Sequence, residues 1–261
     1  MVQVPPRTAF GGPTLVRLLA RLVDANVPAS AQSLSDRLSQ WLGWTDAIAL
    51  STALNASPPA PRVPAGGARS FGSAEEALCA NVRGALTKAI ANDGVLAVSR
   101  RTRAPRGGSR VMPEQAAGDY AAFRQSYLSL QQAMETDIGD LRGRLRALLA
   151  ARTSGMARLA VLDAVMERAL FARERTLLAS VPTLLGAYFD RLCREAQAAA
   201  PIDTPTAAPT TVDASDETPP VLSGERLDAF RRDVQSVLLA ELEVRFQPVE
   251  ALLAALRTRQ A

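Results

Sequence analysis

Tyr120-Ala-Ala-Phe123-Arg-Gln-Ser-Tyr127-Leu-Ser-Leu130-Gln-Gln-Ala-Met134-Glu-Thr-Asp-Ile138-Gly-Asp-Leu141-Arg-Gly-Arg-Leu145-Arg-Ala-Leu148 is the stretch that decides the fold. Its apolar and aromatic residues recur at intervals of 3, 4, 3, 4, 4, 3, 4 and 3, a heptad-like seam with one wide step at Ile138. Continued back to Pro113, the pattern predicts a helix of about 40 residues, roughly 60 Å at ~1.5 Å rise per residue. Thr153-Ser154-Gly155 interrupts it. A second stripe follows, through Leu159, Leu162, Met166, Leu170, Leu177, Val181, Leu184, Leu185, Tyr188 and Leu192. So short a break forces the two helices to run antiparallel, so residues 113–199 are expected to form a long αα-hairpin. Pro182 should kink the return helix.

The last apolar stripe is Leu227, Phe230, Val234, Leu238, Leu242, Val249, Leu252, Leu253 and Leu256, in a helix over 223–261. Ser223 is suited to cap it, Glu225 to face its positive end, and Pro248 to bend it. Alone, that helix would leave its stripe in water, so it is expected to dock on the hairpin as the third helix of a bundle. Working towards the N-terminus, residues 100–112 read as an Arg-rich loop and 73–99 as an Ala-rich helix opened by a capping box, Ser73-Ala-Glu-Glu76. Residues 57–72 form a Pro/Gly linker, and residues 200–222, with five prolines and five threonines, a second, acidic one. Residues 1–56 carry three short amphipathic patterns, read as a compact three-helix unit. The first opens at Gly12-Pro13 and ends near Asn26-Val27-Pro28. The second starts near Ser30 and ends at Gly43, and the third begins at Trp44 or Thr45. The expected class is therefore all-α: a small N-terminal helical unit plus a long antiparallel αα-hairpin or three-helix coiled-coil-like bundle, with disordered Pro-rich linkers.

Composition agrees. Of 261 residues, 48 are Ala and 34 Leu, both good helix formers, while aromatic residues make up only 5%. There is no histidine, which removes His-based triads, His metal sites and His acid–base chemistry. Cys79 and Cys193 are isolated thiols on apolar helical stretches and read as small buried hydrophobes. No P-loop, Gly-x-Gly-x-x-Gly or Gly-x-Ser-x-Gly pattern occurs. Acidic pairs at Glu75/Glu76, Asp137/Asp140 and Glu241/Glu243 lie beside arginines on helix faces and read as solvated ion pairs. No enzyme, cofactor, metal site or small-molecule substrate is expected.

Three other features invite a second reading. Gly139-x-x-x-Gly143 would suggest dimerisation inside a membrane, but Asp137, Asp140, Arg142 and Arg144 forbid insertion. In water it is either a close-approach point for a partner helix or, the reading favoured, a local flex point. Trp41 and Trp44 are either partner anchors or, as is more common in an aromatic-poor chain, filler of a small core. Arg100, Arg101, Arg103, Arg106 and Arg110 put five positive charges into eleven residues that hold no acid. The rest of the chain is nearly neutral, so the net +4 describes one segment. That segment could bind nucleic-acid phosphates or anionic lipid headgroups, or stay solvated opposite Asp203, Asp213, Asp216 and Glu217. No aromatics interleave with the arginines, so base stacking is not indicated. No stretch suits a secretory signal or a transmembrane segment, so the chain reads as cytoplasmic.

The blocks Arg7-Thr8-Ala9-Phe10-Gly11-Gly12-Pro13-Thr14-Leu15-Val16-Arg17-Leu18-Leu19 and Arg37-Leu38-Ser39-Gln40-Trp41-Leu42-Gly43-Trp44-Thr45-Asp46-Ala47-Ile48 carry a resemblance. The chain resembles an uncharacterised family of beta-proteobacterial proteins of unknown function, along most of its length. The family supplies no catalytic or binding residue to transfer. What the resemblance implies is a gene setting beside motor-like inner-membrane channel proteins and peptidoglycan-binding outer-membrane-type proteins. That setting would suit a cytoplasmic accessory of an envelope-associated complex. The function expected is thus a non-enzymatic helical interaction or scaffold protein, binding protein partners or itself through helical faces, with nucleic-acid binding through the Arg-rich loop as the alternative.

Overall fold

The computed structural model of the chain describes residues 13–25, 32–55, 73–97, 120–198, 222 and 224–257, and every element among them is an α-helix. In chain order these are α1 (Thr14–Leu22), α2 (Leu34–Trp41), α3 (Trp44–Asn55), α4 (Ser73–Asn92), α5 (Tyr120–Ala150), α6 (Ser154–Ala179), α7 (Val181–Ala198) and α8 (Gly224–Arg257). The protein is all-α. The Pro-rich linkers and the Ser73 and Ser223 caps lie outside what is described.

The seam forms as its spacing dictates. Phe123, Tyr127, Leu130, Met134, Ile138, Leu141 and Leu145 are buried, with Leu149 continuing the row, and Tyr120 and Leu148 pack partly against the same core. Thr153 turns the chain at the tip of the hairpin and caps α6, its hydroxyl accepting from the Met156 amide at 3.3 Å. The return path is antiparallel to α5. Arg142 pairs with Asp163 near the tip, and Gln131, further down α5, reaches Leu178. The predicted kink falls at Ser180, the single residue between α6 and α7, so that Pro182 sits in the first turn of α7, where its missing N–H costs least.

α8 docks on the hairpin and runs parallel to α5. Phe123 meets Phe230 near the start of both helices (ring centroids 5.1 Å apart), and Arg152 donates to the Leu256 carbonyl at 2.6 Å near their ends. The Ala-rich helix, expected as a joining element, is a fourth member of the bundle. α4 lies antiparallel on α5 and α8, with Arg257 on Glu76 and Arg83 on Glu250 at one end. At the other end Arg231 and Gln235 donate to the carbonyls of Val95 and Leu96. Cys79, Leu86, Ile90 and Leu96 bury their side chains there. α5 and α8 thus form a central pair, with α4 on one flank and α6–α7 on the other.

The compact three-helix unit expected over residues 1–56 is not what forms. α1 packs on α7 and α8, whereas α2 and α3 lie against α6. The reason is area: α3 buries one residue, Ala53, and α1 three, Leu15, Ala20 and Leu22, too few apolar faces to make a core of their own. Their boundaries are also tighter than the sequence suggests. α1 ends at Leu22, with Asp24 in the left-handed region, and α2 starts at Leu34, capped by Ser33, whose Oγ accepts from the Asp36 amide.

Candidate functional site

The least expected feature is polar. Glu241, in the middle of α8, is completely buried. Its carboxylate accepts from Tyr127 Oη at 2.7 Å, from Gln131 Nε2 at 3.0 Å to each oxygen, and from Arg245 Nε at 2.9 Å. Gln131 also donates to the Leu178 carbonyl at 3.2 Å. That carbonyl, to which Pro182 four residues on has no N–H to offer, also accepts from the backbone N–H at the C-cap of α6, so the Gln131 amide is its second donor. Arg245 continues outward to Glu174 at 3.7 Å on the half-exposed end of α6. A buried carboxylate is tolerable only when its lone pairs are filled and a cation stands beside it, and both conditions hold. Burial, and then the neighbouring Glu241 charge, push the Tyr127 phenol well above its ordinary value, so it serves as a donor throughout the physiological range.

The reading of Glu241/Glu243 as a solvated pair is therefore corrected for Glu241. The signal was present in the sequence. Glu241 occupies the heptad register of Leu227 and Val234, and Gln131 that of Ile138 and Leu145. A polar residue on an apolar seam must find its partner across that seam, and such residues fix register. Just below, at the bundle end, Tyr120, Phe123, Tyr188, Phe189 and Phe230 make an aromatic cluster. Tyr120 donates to the Pro182 carbonyl and lays its ring on Gly186, where an added Cβ would stand 2.9 Å from Tyr120 Cε1.

A second polar cluster joins α5 to α6. Arg142 grips Asp163 with two bonds, 2.8 and 2.6 Å, and Arg146 touches both Asp163 and Glu167 at 3.2 and 2.5 Å. Gly139 and Gly143 lie one turn away, and a Cβ at either would meet nothing within 4 Å. Within the chain, therefore, the Gly-x-x-x-Gly motif is no close-approach point. Cys79 and Cys193 are buried thiols, and burial raises the pKa of both, which keeps them protonated. Among the described residues no group of His, Cys, Asp and Glu could hold a metal ion.

The two tryptophans separate. Trp41 is half-buried, with the Arg173 guanidinium 5.6 Å from its ring centroid. Trp44 is 81% exposed, so the core-filler reading is corrected for it. It is not alone. Among the described residues eight large apolar side chains are exposed, and six belong to α3 and α6: Trp44, Ile48, Leu54, Val161, Phe171 and Leu177. Leu177, expected on the apolar stripe of the hairpin, is one of them. Seven consecutive residues of α6, 171–177, are exposed, because α6 lifts away from the core before the turn at Ser180.

Arg100, Arg101, Arg103, Arg106 and Arg110 lie outside the described residues, as do Asp203, Asp213, Asp216 and Glu217. The described residues flanking both segments share one end of the bundle. Val95 and Leu96 are bonded to Arg231 and Gln235, and Tyr120 packs on Phe189 and Phe230.

A family model described as "Protein of unknown function (DUF3348)" matches residues 1–258, and the chain belongs to that family. No curated protein and no solved structure matches it. Among the described residues no helix is long and apolar enough to cross a membrane.

Proposed function

We propose that the chain is a non-enzymatic helical interaction or scaffold protein. The observation that carries this reading is the concentration of exposed apolar side chains on α3 and α6, led by Trp44: these two helices hold six of the eight exposed large apolar side chains among the described residues. Exposed apolar clusters of that kind mark sites of association, and tryptophan is enriched where binding energy concentrates. The heptad seam is not the binding surface, because α8 and α4 cover it within the chain. The protein acts in the cytoplasm as an accessory of an envelope-associated complex, a placement supported by the gene setting that the family resemblance implies.

The test is recovery of the tagged chain from its native host, with and without nuclease, compared with a Trp44→Asp variant. Defined proteins that survive nuclease and are lost with Trp44→Asp support the reading. Partners that disappear with nuclease overturn it in favour of the alternative, phosphate binding through Arg100, Arg101, Arg103, Arg106 and Arg110. What favours that alternative is five arginines in eleven residues without an acid. It requires binding to duplex DNA that falls steeply with salt and is abolished when all five become alanine.

A further inference from the structure

We infer that residues 168–180 are a strap over the Glu241 cluster, which opens as a unit and lets water reach that carboxylate while the rest of the bundle stays folded. The inference goes beyond the interaction-protein reading and does not depend on it. Both ends of the strap are fixed. Asp163 and Glu167 hold the first half of α6 to Arg142 and Arg146. On the far side Val181, Pro182 and Leu185 are buried, and Tyr120 donates to the Pro182 carbonyl. Between Glu167 and Val181 the one buried residue is Leu178. Ser180 supplies the hinge, because the helical ladder breaks there. Its N–H turns back to the Leu177 carbonyl at 3.2 Å, and Pro182 has no N–H to give.

Local propensity, more than packing, keeps the strap helical. Ala172, Arg173, Glu174, Arg175 and Leu177 are good helix formers. A helix shorter than about 12–15 residues is nevertheless marginal in water without tertiary support, and here that support is slight. Besides the Leu178 side chain, the strap is tied down by the Arg173 guanidinium 5.6 Å from the Trp41 ring centroid and by Glu174, itself 47% exposed, 3.7 Å from Arg245. The third tie is the Leu178 carbonyl, 3.2 Å from Gln131 Nε2. A long pair to an exposed carboxylate contributes little. Two of these ties land on one cluster, because Gln131 and Arg245 both bond Glu241. Lifting the strap therefore removes the roof of a carboxylate that is 0% exposed when it is closed. The floor so uncovered is polar. Water can satisfy Tyr127, Gln131, Glu241 and Arg245, so opening costs less than baring an apolar floor of the same size.

Amide hydrogen exchange of the full chain, read residue by residue at several urea concentrations below the unfolding midpoint, tests this. Strap amides should share one protection level, at least about 100-fold below the slowest amides of α5 and α8, and one shallow urea slope where the latter show a steep one. Glu241→Gln should speed exchange of the strap about 30-fold or more, because the donors it orphans are hydrated once the strap lifts. Leu178→Ala leaves the polar cluster intact and should also speed the strap by about 30-fold or more. Ile90→Val, in α4, is the control: Ile90 is 1% exposed and stays packed when the strap lifts. It should speed the slowest α5 and α8 amides about 5-fold and leave the strap unchanged. Strap amides that match α5 and α8 in protection and urea slope, or that follow Ile90→Val, overturn local opening. Protection that scatters from amide to amide without a common slope overturns opening as a unit. A strap unmoved by Glu241→Gln, or by Leu178→Ala, overturns its place over the cluster.

Discussion

Replacing Glu241 by glutamine tests the polar cluster at its centre. The substitution keeps shape and volume but turns one acceptor oxygen into an NH2 group that faces donors. Three donors now converge on that carboxylate: Tyr127 Oη, Gln131 Nε2 and Arg245 Nε. The remaining carbonyl oxygen can serve one side only, and the Arg245 guanidinium, 10% exposed, keeps no closer anion than Glu174 at 3.7 Å. One lost charge-assisted bond and one buried donor without an acceptor cost about 3–5 kcal/mol together. That is a large share of the 5–15 kcal/mol typical of folded domains. In urea unfolding followed at 222 nm, the midpoint should fall by about 1 M or more with an unchanged slope. Thermal unfolding should come roughly 10 °C earlier. Tyr127→Phe, which removes one donor and leaves Gln131 and Arg245 in place, should cost less, about 1.5–3 kcal/mol. The quadruple variant Tyr127→Phe/Gln131→Leu/Glu241→Leu/Arg245→Met should recover most of the loss, because it removes the partners together instead of orphaning them. If Glu241→Gln unfolds within about 0.5 kcal/mol of the parent, the cluster is wetter than its geometry implies and the reasoning fails.

Three further outcomes can be checked with purified protein. Burial raises the phenols of Tyr120 (to about 12), Tyr127 and Tyr188. A group whose folded pKa lies above the unfolded value of ~10 holds its stabilisation below that pH and loses it above. Stability should therefore be flat near neutrality and fall by up to about 4 kcal/mol per pH unit above pH 10, and tyrosinate absorbance should appear only with unfolding; smooth titration near pH 10 in the folded protein would contradict this. Gly186→Ala drives a Cβ into the Tyr120 ring and should destabilise by about 1–3 kcal/mol, whereas Gly139→Ala and Gly143→Ala meet open space and should each stabilise by up to about 1 kcal/mol. A loss at 139 or 143 in melting experiments would restore the close-approach reading of that motif. Arg142→Ala breaks a bidentate grip on Asp163 between side chains only 13% and 15% exposed, and should cost about 1–2 kcal/mol; a change below 0.3 kcal/mol in urea titration would show the pair to be solvent-screened.

The hairpin was legible because Phe123 to Leu145 obeys a period that only a helix satisfies, and because Thr153-Ser154-Gly155 is too short to let its flanks diverge. The break before Pro182 was legible for the chemical reason that proline cannot continue a ladder. Periodicity says that a face is buried without saying against what, so it could neither place α4 as a fourth helix nor send α1 to α7 and α8 and α2–α3 to α6. Glu241 was misread because its neighbours Glu243 and Arg245 resemble a surface ion-pair pattern, although its register with Leu227 and Val234 pointed inward. Trp44 was misread because composition argues for burying a tryptophan, and nothing within α3 shows that its row faces away from α6.

The parallel pairing of α5 and α8 governs how the chain can acquire its structure. Phe123 and Phe230, and Arg152 and Leu256, are partners separated by more than a hundred residues, so the closure that unites them is slow compared with helix formation. During synthesis α5 and the returning α6–α7 leave the ribosome before α8 exists, with Tyr127 and Gln131 awaiting their acceptor and the seam wet. A chain stalled before α8 exposes a long apolar groove in a crowded cell and is a substrate for chaperones and for misassembly with its neighbours. The central pair is completed only when α8 emerges, so the fold gains most of its cooperativity after α4 to α7 have been made.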